Sequence, residues 1–213
     1  MRPYIILNCA ASADGKIALA NRRKLKLSNA KDFERVQKLR RRCDAILVGI
    51  GTILEDNPSL TIDSEKRIRE NPIRIILDTT FRTPENAKAI DDKAKTIIAT
   101  GKATNAKHTP NIELIKCGID KVDIPKLLRK LSLRGIKSIL VEGGETVMWS
   151  FIKGGYFDEL NVFIASIIIG GKETPTIVGG KGSDRIDHIL KIKLENTELL
   201  GNGVLLRYVK SND

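Results

Sequence analysis

The sequence predicts a single α/β domain over residues 1–213, with a predominantly parallel central sheet. Short runs rich in Ile and Val alternate with helix-like patterns along the chain. Several of these runs are apolar throughout, which is typical of strands that helices cover on both faces. The end of the chain differs, because "LLGNGVLLRYV" favours a β-hairpin around residues 201–203. This hairpin adds antiparallel strands at the C-terminus.

Apolar runs define eight predicted strands, which span residues 4–10, 44–50, 73–78, 95–100, 111–116, 137–142, 159–169 and 202–209. Three helices are predicted between them, over 29–42, over 124–133 and from Glu145 onward. Ser28 is the expected N-cap of the first helix, which places Phe33, Val36 and Leu39 on one face. Asp123 is the expected N-cap of the second helix.

The amino-acid composition is typical of a soluble globular protein and argues against a membrane protein. Hydrophobic residues make up 41% and charged residues 30%, and no apolar run approaches the ~20 residues of a membrane span. The three cysteines, Cys9, Cys43 and Cys117, lack CxxC spacing and are expected to be free thiols in a reducing cytoplasm. His108 and His188 are the only histidines, so no metal site is expected. A cytoplasmic protein without membrane contact is predicted.

The formal net charge of +11 indicates an anionic ligand. Nucleic acid is one such ligand, and an anionic small substrate with an anionic cofactor is another. Basic residues are densest between Arg22 and Arg42, but aromatic residues are only 4% and do not interleave with them. A basic RNA-binding module is therefore the less favoured alternative, and no nucleic-acid partner is expected.

Two motifs follow the first two strands. "SADGK" (12–16) contains the turn pair Asp14-Gly15 and by itself indicates only a turn. "VGIGTILEDNPSL" (48–60) leads from a strand into a short helical stretch, where Thr52 can donate a hydroxyl hydrogen bond. Asp56 lies one turn after Thr52, so both side chains can face the same ligand. The motif is not a dinucleotide fingerprint, because Leu54 occupies the third glycine position.

Two further motifs lie at strand ends, where ligands of open α/β sheets collect. In "LDTTFRTP" (77–84), Arg82 can hold the 2′-phosphate of a dinucleotide, although a solvated loop arginine fits equally well. In "SILVEGGETVMWSFI" (138–152), Gly143 and Gly144 expose backbone N–H groups beside a helix start, which suits a pyrophosphate. Glu142 then has to point toward a second ligand. The alternative is an exposed glutamate before a glycine-rich turn.

Together the motifs "SADGKIA", "VGIGTILEDNPSLTI", "LDTTFRTP" and "VEGGETVMWSFI" resemble the reductase family of riboflavin biosynthesis. The resemblance covers essentially the whole chain and implies a dihydrofolate-reductase-like three-layer fold with helices on both faces of the sheet. The HxE…PCxxC signature of the zinc deaminase that is often fused to this reductase is absent. The sequence is therefore similar to the stand-alone archaeal and fungal reductases.

The resemblance implies NADPH as the cofactor, with NADH as a possible substitute. The implied cofactor residues are Ala10, Thr52, Asp56, Gly143, Gly144, Glu145 and Thr146, to which Arg82 is added by the reasoning above. The implied substrate residues are Lys24, Arg40, Leu60 and Glu142. Lys24 and Asp63 differ from the bacterial pattern, which often has serine and arginine there. Lys24, Arg40 and Arg42 are therefore the candidates for the substrate's 5′-phosphate.

The implied reaction is hydride transfer from the nicotinamide to C1′ of the ring-opened imine of a phosphorylated ribosylaminopyrimidine. Glu142 is predicted to bind this substrate and to assist proton transfer, and Asp14 to orient the "SADGK" turn. No metal is expected, and the family suggests a homodimer. Another pterin or pyrimidine reductase of the same fold, such as a dihydrofolate reductase, is the nearest alternative.

Overall fold

A computed structural model describes residues 2–23, 25–62, 70–101 and 111–211. Its strands, in chain order, are β1 (Tyr4–Ser12), β2 (Ala45–Gly49), β3 (Ile73–Leu77), β4 (Thr96–Thr100), β5 (Ile112–Lys116), β6 (Ser138–Val141), β7 (Glu159–Ala165), β8 (Ile192–Leu200) and β9 (Gly203–Lys210). Its α-helices are α1 (Ala30–Arg42), α2 (Ile50–Asp56), α3 (Ile124–Ser132) and α4 (Glu145–Lys153). None of these helices is long and apolar enough to cross a membrane.

The chain forms two compact units, one from Met1–Tyr4 and Val36–Glu142, the other from Ile5–Arg35 and Gly143–Asp213. In the first unit, five parallel strands lie in the order β5-β4-β3-β2-β6. Every position of β2 and β4 is buried, which explains why these strands have continuous apolar runs in the sequence.

In the second unit, β1 pairs with β7 in parallel, and β7, β9 and β8 follow as antiparallel neighbours. β8 and β9 are joined at Gly201, whose φ of +69° allows the tight turn. The predicted hairpin is therefore confirmed. The α/β class, the predominance of parallel strands and the C-terminal antiparallel strands are also confirmed.

Helix α1 begins at Ala30, one residue later than predicted. The side chain of Asn29, not of Ser28, accepts a hydrogen bond from the backbone N–H of Asp32 at 2.9 Å. Asp32 is 1% exposed, because its carboxylate accepts hydrogen bonds from the Ser28 hydroxyl and from Arg35. This inward aspartate turns Phe33 outward, where it is 51% exposed. The prediction of Ser28 as N-cap was wrong, and of the residues predicted to share one face, Phe33 is exposed whereas Leu39 is buried.

Two other predictions about local structure are confirmed. The side chain of Asp123 accepts a hydrogen bond from the N–H of Lys126 at 2.8 Å, so it is the N-cap of α3. All three cysteines are free thiols, with Cys43 and Cys117 buried and Cys9 half-buried.

Candidate active site

Two glycines, Gly143 and Gly144, directly precede helix α4. Gly143 has a φ of +122°, which residues with a Cβ rarely adopt. A Cβ on Gly143 would meet no atom within 4 Å, so the backbone conformation, not crowding, requires glycine. Gly144 is the N-cap of α4, and no side chain forms a capping hydrogen bond there. The start of α4 can therefore receive an anionic group such as a phosphate.

Glu145 opens α4, but its carboxylate is engaged within the second unit. One carboxylate oxygen accepts hydrogen bonds from the Arg22 guanidinium at 3.3 and 3.4 Å, and the other accepts one from the N–H of Thr176 at 3.4 Å. The Glu145 carbonyl accepts a further bond from the N–H of Gly179. A cofactor phosphate at this position would thus meet the backbone of Glu145 and of the exposed Thr146 rather than a carboxylate.

Arg40 joins two of the predicted substrate residues in the first unit. Its Nε lies 2.8 Å from Oε1 of Glu142, and its Nη2 lies 2.6 Å from Oε2, so the two planar groups form a two-bond fork. The side chains are only 17% and 11% exposed. Burial lowers the pKa of Arg40, but the charge and the hydrogen bonds of Glu142 outweigh burial and raise it above its usual value.

The same guanidinium holds the segment that contains Leu60. Nη1 of Arg40 donates a 2.8 Å hydrogen bond to the carbonyl of Thr61. Leu60 has a φ of +52°, and its side chain is buried in a core cluster with Ile53 and Ile76. A substrate contact at Leu60 therefore has to use the backbone rather than the side chain. Arg40, Glu142 and the 60–61 segment are thus brought together, as the substrate assignment requires.

The predicted cofactor residues of the first unit lie on α2 and after β3. Thr52 and Asp56 are four residues apart on α2, and both are half-buried. Arg82 is 59% exposed, and its Nε lies 3.8 Å from Oδ1 of Asp78. Asp78 is fully buried, and its other oxygen accepts hydrogen bonds from the N–H and the hydroxyl of Thr83. Asp78 therefore braces the turn that carries Arg82.

Two predicted residues lie along β1 and the turn after it. Ala10 is half-buried and packs against the cluster of Phe163, Ala165 and Leu205. Asp14 accepts hydrogen bonds from the Ser12 hydroxyl at 2.6 Å and from the N–H groups of Ile169 and Gly170. These bonds, led by the one from Ser12, lower the pKa of Asp14 from 3.8 to about 2. The predicted role of Lys24 lies outside the described residues, as does the departure at Asp63.

Sequence reasoning missed the partners of these side chains. Arg22 reaches Glu145 across 123 positions, and the Thr61 carbonyl has no side-chain signature at all. Only the dense basic region that contains Arg22 indicated that an arginine there could meet an acidic group. Within the described ranges, no three His, Cys, Asp or Glu side chains are grouped so that they could hold a metal ion.

Comparison with known proteins shows the family of the chain. The family described as RibD C-terminal domain matches residues 3–206. The chain is 37% identical over 213 residues to the 2,5-diamino-6-ribosylamino-4(3H)-pyrimidinone 5′-phosphate reductase of Methanothermobacter thermautotrophicus, with 98% of each chain covered. It is 35% identical over 215 residues to the reductase of the same name from Archaeoglobus fulgidus, which covers 95% of this chain and 96% of the relative.

Longer relatives match over part of their length. The riboflavin biosynthesis protein RibD of Actinobacillus pleuropneumoniae is 34% identical over 216 residues, which cover 98% of this chain and 57% of that protein. Among solved structures, a deaminase/reductase from Thermotoga maritima superposes with a TM-score of 0.86 at 29% identity, over 99% of this chain and 57% of that one. The riboflavin biosynthesis reductase Rib7 of Saccharomyces cerevisiae, at 21% identity and a TM-score of 0.74 over 99% of this chain and 90% of that one, shares the fold.

Proposed function

The chain belongs to the RibD C-terminal domain family, and from this membership we propose that it reduces 2,5-diamino-6-ribosylamino-4(3H)-pyrimidinone 5′-phosphate in riboflavin biosynthesis. The observation that carries the proposal is the 37% identity to the archaeal reductase, which extends over 98% of both chains. Two features support this activity: the start of α4 has no side-chain cap, and Arg40 and Glu142 form a polar cluster in the first unit.

NADPH is the cofactor in this proposal, and the residues present fit it. The open space at Gly143 and the uncapped start of α4 can receive a pyrophosphate. Thr52, Asp56 and Ala10 complete the proposed cofactor set, and the exposed Arg82 is the proposed partner of the 2′-phosphate that distinguishes NADPH from NADH. When bound, the reduced nicotinamide supplies a hydride to C1′ of the ring-opened imine, whose nitrogen takes up a proton to complete the ribitylamine.

On the substrate side, this chain's residues bind and orient. Glu142 and Arg40 form the polar part of the proposed pocket, and the backbone at Leu60 borders it. Orientation of a reactant in such a pocket is a large part of catalysis when the cofactor carries the chemistry. Arg42, at the end of α1, and Lys24 remain the proposed partners of the 5′-phosphate on charge grounds.

The proposal is tested by following NADPH oxidation with the ribosylaminopyrimidine phosphate, with its deaminated analogue and with dihydrofolate. Turnover of the first compound, with dihydrofolate inert, is the expected result. Turnover of dihydrofolate alone would identify a different reductase of the same fold. Repeating the assay with NADH measures the cofactor preference. The wild type should have a higher kcat/KM with NADPH than with NADH, and this ratio should decrease in Arg82→Ala.

We also propose that the protein is a homodimer that pairs through β8. Every position of β8 except the last is exposed, and its outer edge has no strand partner among the described residues. Large apolar side chains are nevertheless present there and just before it, with Ile186 89% and Leu199 82% exposed. A second copy would offer the same surface across a twofold axis.

A further inference from the structure

The fork between Arg40 and Glu142 restricts what the carboxylate can do. Each carboxylate oxygen already accepts one hydrogen bond from the guanidinium, at 2.8 and 2.6 Å. A proton on Glu142 would have to displace one of these bonds. It would also remove the negative charge that Glu142 supplies to the guanidinium, which is only 17% exposed. The geometry therefore opposes proton donation by Glu142.

The ionised carboxylate keeps capacity to accept further hydrogen bonds. A carboxylate has about four lone-pair sites, and the fork occupies two of them. The side chain is 11% exposed, so the remaining sites can reach a ligand. An aminopyrimidinone carries ring N–H and amino groups, and these are hydrogen-bond donors that an acceptor-only group complements.

Both partners of the fork are fixed from behind. The N–H of Glu142 donates to the carbonyl of Leu47 on β2, which anchors the end of β6. Arg40 is anchored by its third bond, to the carbonyl of Thr61. The guanidinium therefore has one geometry in which all three of its bonds are made, and this geometry sets the direction of the carboxylate.

On the basis of the proposed function, we infer that Glu142 binds the N–H donors of the pyrimidinone as a hydrogen-bond acceptor oriented by Arg40, rather than as a proton donor. Arg40 is the positioning residue that holds it in this orientation. Arg40 then acts through Glu142, and the pair behaves as one unit. The inference replaces the proton-transfer role that the sequence pattern predicts for Glu142.

The test separates KM from kcat in Glu142→Gln. An amide keeps the shape but turns one acceptor into a donor, so an N–H of the substrate and an N–H of Arg40 lose their partner. We expect KM for the pyrimidine substrate to rise by roughly 10- to 100-fold, with kcat within about threefold of the wild type, because binding shared by ground and transition state is lost. KM for NADPH should stay unchanged. A loss of kcat by about 10²-fold or more at unchanged KM is the signature of a general acid and would overturn the inference.

Substitutions of Arg40 test the positioning role. Arg40→Met should raise KM for the substrate about as much as Glu142→Gln does. The double variant should have a KM no higher than that of the single variant with the higher KM, because the two residues act as one unit. Arg40→Lys should restore part of the affinity, because an ammonium keeps the charge but makes only one of the two bonds. An unchanged KM in Arg40→Met would contradict the inference, and the two Arg40 variants decide the question if Glu142→Gln does not fold.

The pair of Arg134 and Glu113 supplies a matched control. Like Arg40 and Glu142, these residues join a guanidinium to a carboxylate, with Nη2 of Arg134 2.6 Å from Oε1 of Glu113, but their side chains are 37% and 48% exposed. Glu113 lies on β5, which is separated from β6 by three strands. Glu113→Gln should therefore leave KM and kcat unchanged. A wild-type protein that oxidises no NADPH with any of the pyrimidines would overturn the proposed function instead, which is a separate outcome.

Discussion

Single residues in this protein are recognisable from the sequence by type and position, but their pairing is not. Arg40 and Glu142 were each predicted as substrate residues, yet 102 positions separate them, and no local pattern indicates that they form a fork. Leu60 was also predicted as a substrate residue and lies next to Thr61, whose carbonyl Arg40 binds, but its positive φ and its buried side chain follow from tertiary packing. The family resemblance supplied these candidates, and the fold of the first unit decided which of their atoms meet.

Gly143 provides a test of the cofactor turn, and Gly135 is its matched control. Both have positive φ, and a Cβ at either would meet no atom within 4 Å. Alanine should therefore cost each about 1–2 kcal/mol through backbone strain alone. We expect only Gly143→Ala to raise KM for NADPH, by about tenfold or more, since its backbone adjoins the start of α4. Equal NADPH kinetics in the two variants would remove this turn from the cofactor site.

Asp14 predicts a specific dependence of stability on pH. Its pKa in the folded protein is about 2, below the ordinary 3.8, so its ionised form stabilises the fold above about pH 4, and this contribution is lost as the pH falls toward 2. The Tm difference between wild type and Asp14→Asn should therefore be largest near neutral pH and should shrink between pH 4 and pH 3. Thermal unfolding followed by circular dichroism measures it, and the exposed Asp92→Asn is the control. A pH-independent difference would contradict the assignment.

At the scale of the elements, most strands were located to within one residue at either end, including the partly exposed β5 and β9. The buried β2, β3 and β4 are also among them. The predicted strand over 159–169 instead ends at Ala165, after which the N–H of Ile167 donates back to the carbonyl of Ala165 and the N–H groups of Ile169 and Gly170 donate to Asp14. The long β8 was anticipated only at its hairpin end, since its many polar residues and its exposure weaken the pattern that marks a strand.

The N-cap of α3 gives a prediction at this scale. Replacing Asp123 by alanine leaves the N–H of Lys126 without its side-chain acceptor and should lower the free energy of unfolding by about 1 kcal/mol. Urea denaturation measures the change. Asp120, an exposed residue three positions earlier, is the control, and its alanine variant should stay within about 0.5 kcal/mol of the wild type. Equal losses in both variants would show that the cap contributes nothing.

For the whole molecule, four short motifs in order were sufficient to predict the family, the fold class and the reductase activity now proposed. The division into two compact units was not predicted. One boundary lies inside α1 and another follows Glu142 directly, so no change in composition marks either. Organisation into units depends on long-range packing, which a local reading of the chain does not capture.

The net charge of +11 predicts salt-sensitive kinetics. Both proposed ligands are polyanions, so a basic protein raises their encounter rate. Added salt weakens this attraction, because at an ionic strength of about 0.1–0.15 M charges that are more than about 8–10 Å apart are largely screened. We expect KM for both ligands to rise between 25 and 250 mM NaCl, with kcat little changed. Kinetics that do not respond to salt would rule out electrostatic steering.

The proposed dimer is tested through the exposed apolar side chains at β8. Leu199→Glu should shift the protein from dimer to monomer in sedimentation velocity, because a charge would have to be buried in the interface. Leu133→Glu is the control, since Leu133 is similarly exposed, at 83%, but follows α3 in the other unit. A wild type that sediments as a monomer at micromolar concentration would contradict the proposal.

The exposed outer edge of β8 also bears on aggregation of the protein. The outer edge of β8 has no strand neighbour in the described part of the chain, and the main-chain groups of such an edge are a template on which further chains can stack, as in amyloid. Lys193, Glu195 and Glu198 interrupt the apolar residues of this strand and act as gatekeepers against such growth. These charged residues oppose the stacking of many chains on the same strand edge through which two copies are proposed to pair.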